Sequence, residues 1–217
     1  NRLELPHLLG IARPPPSDSE TVLRHLRAFG YTREDLHKII RPLAVDGQEP
    51  VGSMGTDTPL AVLSERPKSL FNYFKQLFAQ ITNPAIDPLR EGLVMSLMSF
   101  IGRQRNLLDE TPEHCRQLKL PHPILTDEDL ARLRSVQNEE LRLATLSATF
   151  PAAGPGTSGE RLASRLEDLI GEAAEAIRGG VTLIVLSDRD CSAERAPIPA
   201  LLATSSLHHG LTRRGLR

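Results

Sequence analysis

The chain has 217 residues, with 26 basic and 27 acidic side chains and a formal charge of -1, enough length for one substantial hydrophobic core. Charges of both signs are spread along it, which leaves no basic face for nucleic acid or membrane lipid. Its two cysteines, Cys115 and Cys191, lack CxxC spacing, no signal-peptide pattern opens the chain, and the densest apolar run, Val181 to Leu186, is far too short to span a bilayer. A disulfide scaffold, an iron–sulfur cluster and a structural zinc site are therefore poorly supported, and a cytoplasmic location is the expectation.

Taken in chain order, the N-terminal third reads as helical. Val22, Leu23, Leu26 and Phe29 recur at helical spacing until Gly30, which stops the first helix. Thr32 then caps a second helix, with Glu34 and Asp35 at its positive end and Leu36, Ile39 and Ile40 as its buried stripe. Pro42 is expected to end or bend it. A loop beginning at Gly52 leads into a helix with Phe71, Phe74, Leu77 and Phe78 on one face.

From Leu93 onward the pattern changes to apolar stretches of strand type, "LVMSLMSFIG", "QLKLPHPILT", "LRLATLSATF" and "VTLIVLSD". Between them lie the helices "DEDLARLRSV" and "GERLASRLEDLIGEAAEAIRGG", and a last helix covers 199–217. This alternation predicts an α/β fold in which a helical N-terminal part is followed by βα units around a parallel sheet, the clearest unit running from Leu141 to Asp188. Too few strands are available for a closed eight-stranded barrel, so an open or incomplete barrel-like arrangement is expected. One domain, 1–217, is expected, and the unstopped basic end "LTRRGLR" and the missing initiator Met suggest a piece of a longer chain.

Several motifs could carry chemistry. Gly154, Gly156 and Gly159 satisfy G-x-G-x-x-G between a strand and a helix, with Asp188 ending the next strand, as in a dinucleotide site. Against this, Arg142, Thr145, Ser147 and Thr149 make the preceding strand polar, Pro155 stiffens the turn, and Asp188 lies well beyond the ~20 residues expected of the ribose-binding acid. The alternative is a surface loop. A Walker-type phosphate loop is excluded because no Lys precedes Ser or Thr after these glycines. His114, Cys115 and His122 contain metal-ligand types without a convincing fourth ligand, and the adjacent His208 and His209 should point apart on a helix. "SDRDC", Ser187 to Cys191, stands at the C-terminal end of a strand, where barrel-like folds carry functional loops, or else Ser187 or Asp188 simply caps a turn. Cys191 has no base fixed beside it by sequence.

"TNPAIDPLRE", Thr82 to Glu91, is stiff and has a defined end. Pro84 and Pro88 push Asn83 and Asp87 into extended conformations, and Asp87–Pro88 reads as an N-cap followed by proline at the first helical position. The segment from Gly52 to Leu97, which contains this loop, resembles the central domain of the glutamate synthase large subunit. "YTREDL", "PILT", "TLSATF" and "LIVLSDR" extend the likeness over nearly the whole chain.

The resemblance implies an α/β domain distantly similar to an FMN-type βα barrel but without flavin. It also implies a parent enzyme in which FMN and a [3Fe-4S] centre are held elsewhere, and in which this domain joins a glutaminase domain to an FMN synthase domain. Ammonia released from glutamine would pass through a tunnel to 2-oxoglutarate. The family's "SMG" and "TNP" neighbourhoods face that tunnel, which implies tunnel-lining roles for Met54, Thr82 and Asn83 here. Three functions result: a noncatalytic connecting and channelling domain, an autonomous nucleotide-binding α/β enzyme using "GPGTSG", and a purely structural spacer. The first predicts no catalytic, cofactor or metal residue in this segment, and no nucleic-acid or membrane partner.

Overall fold

A computed structural model of the chain describes residues 3–4, 18–48, 50, 61–66, 68–74, 88–136 and 138–217. The chain divides into two compact units, one of Asp18–Pro88 and one of Asn1–Ser17 with Leu89–Arg217.

In the first unit the Asp18 carboxylate accepts from Thr21 N at 2.8 Å and starts α1, Ser19–Ala28, while Gly30 with φ 79° carries the chain out of it. Thr32 caps the next helix as expected, and the contact is reciprocal. Thr32 Oγ1 accepts from Asp35 N at 3.1 Å and Asp35 Oδ2 accepts from Thr32 N at 2.8 Å. Pro42 does not end this helix. The chain widens to π winding over Asp35–Ile40 and again over Pro42–Asp46, and stops only at Gly47, φ 61°. In an α-helix the proline ring meets the carbonyl four residues back, whereas a π turn bonds five residues back, as Arg41 N does to Leu36 O and Gly47 N to Pro42 O. The expected buried stripe is only half covered, Leu36 and Ile40 being half-buried and Ile39 45% exposed. Of the phenylalanine helix only a 3₁₀ turn, Leu70–Tyr73, lies among the described residues; Leu77 and Phe78 lie outside them.

The second unit holds the sheets. Pro88 opens α2, Pro88–Val94, as the Asp-Pro signal predicts, so the apolar stretch after it contributes only a short strand, β2, Ser99–Ile101. β3, Leu118–Leu120, pairs antiparallel with β2 and parallel with β1, Leu3–Glu4. Thr126 then caps α3, Asp127–Ser135, through a second reciprocal box with Asp129. β4, Leu143–Ser147, runs parallel to β6, Leu183–Ser187, in the register Leu143↔Leu183 to Ser147↔Ser187, and α4, Ser158–Arg178, connects them. This is the βαβ unit read from Leu141 to Asp188, and it is the one parallel crossover pair among the described strands after β3. β5, Thr149–Pro151, and β7, Arg195–Pro197, form an antiparallel pair that the sequence pattern does not announce, and α5, Ala200–Arg213, follows. The fold is mixed α/β with small sheets, and none of the described sheets closes.

Three apolar clusters hold this unit together. Leu118, Leu120, Leu133 and Leu141 join β3 to α3. Ala148, Ile198 and Ala203 sit where β4 gives way to β5. Ile170, Ala173, Ala174, Leu207 and Leu211 pack α4 on α5, backed by Leu146, Ile184 and Leu186 of the parallel strands. The alanines and Gly210 let the two helices approach closely. A Cβ built on Gly210 would lie 2.7 Å from Ile170 Cδ1 and 2.8 Å from its Cγ1 and Cγ2. Ile170 is β-branched and buried, so it has little room to yield.

Two helical glycines therefore differ in sign. Gly171→Ala meets no atom within 4 Å and should raise stability by about 1 kcal/mol through helix propensity. Gly210→Ala should lower it by a net ~1 kcal/mol or more, overpacking outweighing the same propensity gain. Paired urea melts of the two variants check this, and Gly210→Ala should cost less in an Ile170→Val background, which lacks the crowding Cδ1, than in the native chain.

Candidate functional site

Successive strand residues face opposite ways, so Ser147 and Thr149 share one face while Ala148 between them faces the core. The two hydroxyls meet at 2.9 Å. Asp190, on the turn after β6, accepts from Ser147 Oγ at 2.8 Å and lies 3.3 Å from Thr149 Oγ1. Arg195, entering β7, donates from Nε to Thr149 Oγ1 at 2.8 Å and from its terminal nitrogen to Ser147 Oγ at 3.1 Å, and its Nε stands 3.2 Å from Asp190 Oδ2. Each hydroxyl has one proton. With Ser147's proton on Asp190 Oδ2, that of Thr149 points to Ser147 or, over a longer distance, to the same carboxylate oxygen, and both hydroxyl oxygens accept from Arg195.

Partial burial, the largest single influence on Asp190, pushes its carboxyl upward. The hydrogen bond from Ser147, a backbone N–H, the Arg195 charge and the Thr149 hydroxyl together outweigh it and hold the group below the ordinary Asp value of 3.8.

From α4, Arg165 reaches the same strand end. It donates to Ser147 O at 2.8 Å and Thr149 O at 3.2 Å, and its remaining edge forms a bidentate pair with Glu172. The hydrogen bond to Glu172 raises the Arg165 proton affinity above its ordinary value despite partial burial. Along this face of α4 runs an open cleft of about 750 Å³ lined by Thr149, Arg161, Ser164, Arg165, Asp168 and Arg195 among others. Glu160, Asp168 and Glu172 face it together with the three arginines.

The glycine-rich loop borders the cleft. Thr157 and Glu160 cap α4 reciprocally, Glu160 Oε2 accepting from Thr157 N at 2.7 Å and Thr157 Oγ1 from Glu160 N at 3.2 Å. The Glu160 oxygen lies 2.6 Å from where a Gly156 side chain would start, so Glu160 stands where a pyrophosphate would have to approach. Arg161 donates to the carbonyls of Pro151, Ala152, Gly154 and Gly156, the last at 2.7 Å. The loop thus turns its carbonyls inward onto an arginine of its own helix, the reverse of a phosphate cradle. Gly154 and Gly156 are required by φ of 141° and 75°. "T-S-G-E" is a capping-box signature, and it was available in the sequence.

The other candidates stay apart. Among the described residues no three His, Cys, Asp or Glu side chains gather as metal ligands. His114 has both ring nitrogens on carbonyls, Nε2 at 2.8 Å from Asn106 O and Nδ1 at 2.9 Å from Thr111 O. Those two backbone acceptors raise its proton affinity above the ordinary value of 6.5. His122 is exposed, and so is Cys115. His208 and His209 do not point fully apart; their rings touch edge to face with centroids 5.0 Å apart. Within "SDRDC", Ser187 caps the turn by accepting from Arg189 N at 3.4 Å, Asp188 accepts from Cys191 N through its carbonyl at 3.1 Å, and the residue that reaches the cluster is Asp190. Met54, Thr82 and Asn83 lie outside the described residues.

The sequence model described as "Glutamate synthase central domain" matches residues 24–217. The large chain of an NADPH glutamate synthase from Bacillus subtilis is 44% identical over 196 residues, which cover 90% of this chain and 12% of that one. A chloroplastic ferredoxin-dependent glutamate synthase from Oryza sativa is 48% identical over 202 residues, 92% of this chain and 12% of the relative. An NADH glutamate synthase from Schizosaccharomyces pombe is 42% identical over 205 residues, 94% of this chain and 9% of the relative. The chain thus spans about an eighth or less of these proteins.

The lowered Asp190 value has a sign that can be tested. A carboxyl whose folded value is depressed contributes stability that is fully present above the ordinary 3.8 and is lost as pH falls through the folded value. The difference in melting temperature between the native chain and Asp190→Asn should therefore be constant between pH 7 and pH 5 and shrink below pH 3.8. A difference that grows on acidification would mean that the carboxylate is not stabilised where it sits.

Proposed function

The chain belongs to the glutamate synthase central-domain family, and from that premise we propose that it is a noncatalytic connecting domain of a glutamate synthase large subunit. In this reading it links a glutaminase domain to an FMN synthase domain of the same chain and forms part of the wall of the ammonia tunnel between them. The parent enzyme makes glutamate from glutamine and 2-oxoglutarate, in the cytoplasm. Its FMN and [3Fe-4S] centre belong to the synthase domain, and the distant likeness to an FMN-type βα barrel is a likeness of scaffold.

One observation carries this reading. Relatives named for NADPH, NADH and ferredoxin match this chain at 42–48% identity over at least nine-tenths of its length. A segment that similar across three electron donors fits a task common to all of them, and joining two reaction centres is such a task. The chain's own chemistry agrees. Two cysteines, one exposed and one half-buried, cannot supply the thiolates of an iron–sulfur cluster. The glycine-rich start of α4 is capped by Thr157 and Glu160 and faces its own Arg161, which speaks against the autonomous nucleotide-binding enzyme.

Thr82 tests the channelling part. Its hydroxyl and the amide of Asn83 can make passing contacts with neutral ammonia, Met54 offers an adaptable apolar wall, and none of the three carries a charge that would hold ammonium. In the full-length enzyme, Thr82→Leu should narrow the conduit at a folding cost of about 1 kcal/mol. Glutamine hydrolysis should then exceed glutamate formation, with free ammonia appearing in solution. An unchanged one-to-one stoichiometry would remove Thr82 from the wall and leave the structural spacer as the better reading.

A further inference from the structure

Ligands of α/β folds bind beyond the carboxyl ends of parallel strands. In this chain that position, past Ser147 of β4 and Ser187 of β6, contains two hydroxyls and a guanidinium converging on one oxygen, Asp190 Oδ2, at 2.8, 3.3 and 3.2 Å. The single Nε proton of Arg195 goes to Thr149 Oγ1, so the guanidinium acts on this oxygen through its charge, and hydroxyl donors beside a cationic charge are the composition of an anion subsite. Its members come from β4, β5 and β7, and Thr149 is fully buried, so the donors are held by the strands and not by the turn that brings the acid. Asp190 itself sits on the turn after β6, its side chain 46% exposed and that of Arg195 48% exposed. The cleft of about 750 Å³ reaches Thr149 and Arg195 directly, a size that suits a small metabolite.

We propose that the β4–β6 strand end is a carboxylate-binding subsite, occupied by the tethered Asp190 side chain, and that a free carboxylate entering from the cleft takes the place of Asp190 on Ser147, Thr149 and Arg195. The contribution of so exposed an ion pair is small and sensitive to salt, so exchange does not require breaking the fold. Arg165 does not compete for the site, because its own donors are committed to Ser147 O, Thr149 O and Glu172. Arg161 is likewise committed to the loop carbonyls. Arg195 is thus the guanidinium of the cleft whose bonds go to hydroxyls and a displaceable acid. The tether acts as a high local concentration of carboxylate, which must be outcompeted in the native chain and is removed by truncation.

Asp190→Ala, titrated with sodium acetate against sodium chloride at matched ionic strength, tests this by thermal melting and by NMR shifts of the Ser147 and Thr149 amides. Acetate should raise the melting temperature of the variant saturably and shift those two amides, with an apparent affinity at least about tenfold tighter than in the native chain. Chloride should do neither. If the variant is unfolded in salt alone, acetate should refold it in a saturable way. Adding Arg195→Met to Asp190→Ala should abolish the acetate response. A response equal to that of chloride, equal affinity in the native chain and the variant, or persistence of the response without Arg195 would each overturn the proposal.

Discussion

At Ala148 the chain changes partners. Its N–H donates to Ser187 O of β6 at 2.7 Å, and its carbonyl accepts from Ile198 N, next to β7, at 2.9 Å. The strand therefore passes from a parallel ladder to an antiparallel one within one residue, and the flanking carbonyls of Ser147 and Thr149 both fall to Arg165 of α4. A strand can switch sheets only if the carbonyls that leave the ladder find donors. Arg165, whose side chain is 15% exposed, supplies two and is anchored by Glu172, two turns further along the same face of the helix. This guanidinium holds the strand switch. Ala148, Ile198 and Ala203 form the apolar cluster beneath it, and the Ser147–Thr149–Asp190–Arg195 network forms the polar one above.

That arrangement bears on function. The carboxyl end of the parallel pair, the usual seat of a ligand, is furnished with side chains that answer one another, and the adjoining glycine loop is wrapped around Arg161. The strand end is thus filled by the chain's own side chains, Asp190 foremost, and a ligand there has to displace that carboxylate.

Much of this could be read from the residues. Asp18, Thr32 and Thr126 occupy positions where a side chain can close the first turn, and each does so, though the sequence reading used only Thr32. The unit from Leu141 to Asp188 follows from apolar periodicity because both its strands and its helix bury a face. Of the end or bend expected at Pro42, the end does not occur, because the π winding that carries the chain past it depends on tertiary context, not on local propensity. "LVMSLMSFIG" gave up its first residues to the helix begun at Pro88, a case of a short apolar run that fits either element. The polar residues Ser147 and Thr149 argued against a buried strand, yet Thr149 is fully buried. Its partners, Asp190 and Arg195, are more than forty residues away, and no local pattern announces a long-range pairing of that kind. β7, three residues with a proline, was hidden, and β5 lay within the single strand expected of "LRLATLSATF", its separation from β4 unannounced.

Hydrogen–deuterium exchange on Arg165→Met, a change that keeps the apolar stem and deletes the donors, tests the claim most directly. Hydrogen bonds to a charged donor contribute about 1.5–3 kcal/mol, so the amides of Ala148 and Ile198 should exchange at least about tenfold faster. The amides of Ala173 and Ala174 in the α4 core should be unchanged. Unaltered protection at Ala148 and Ile198 would contradict the account, since the strand switch would then stand without the guanidinium.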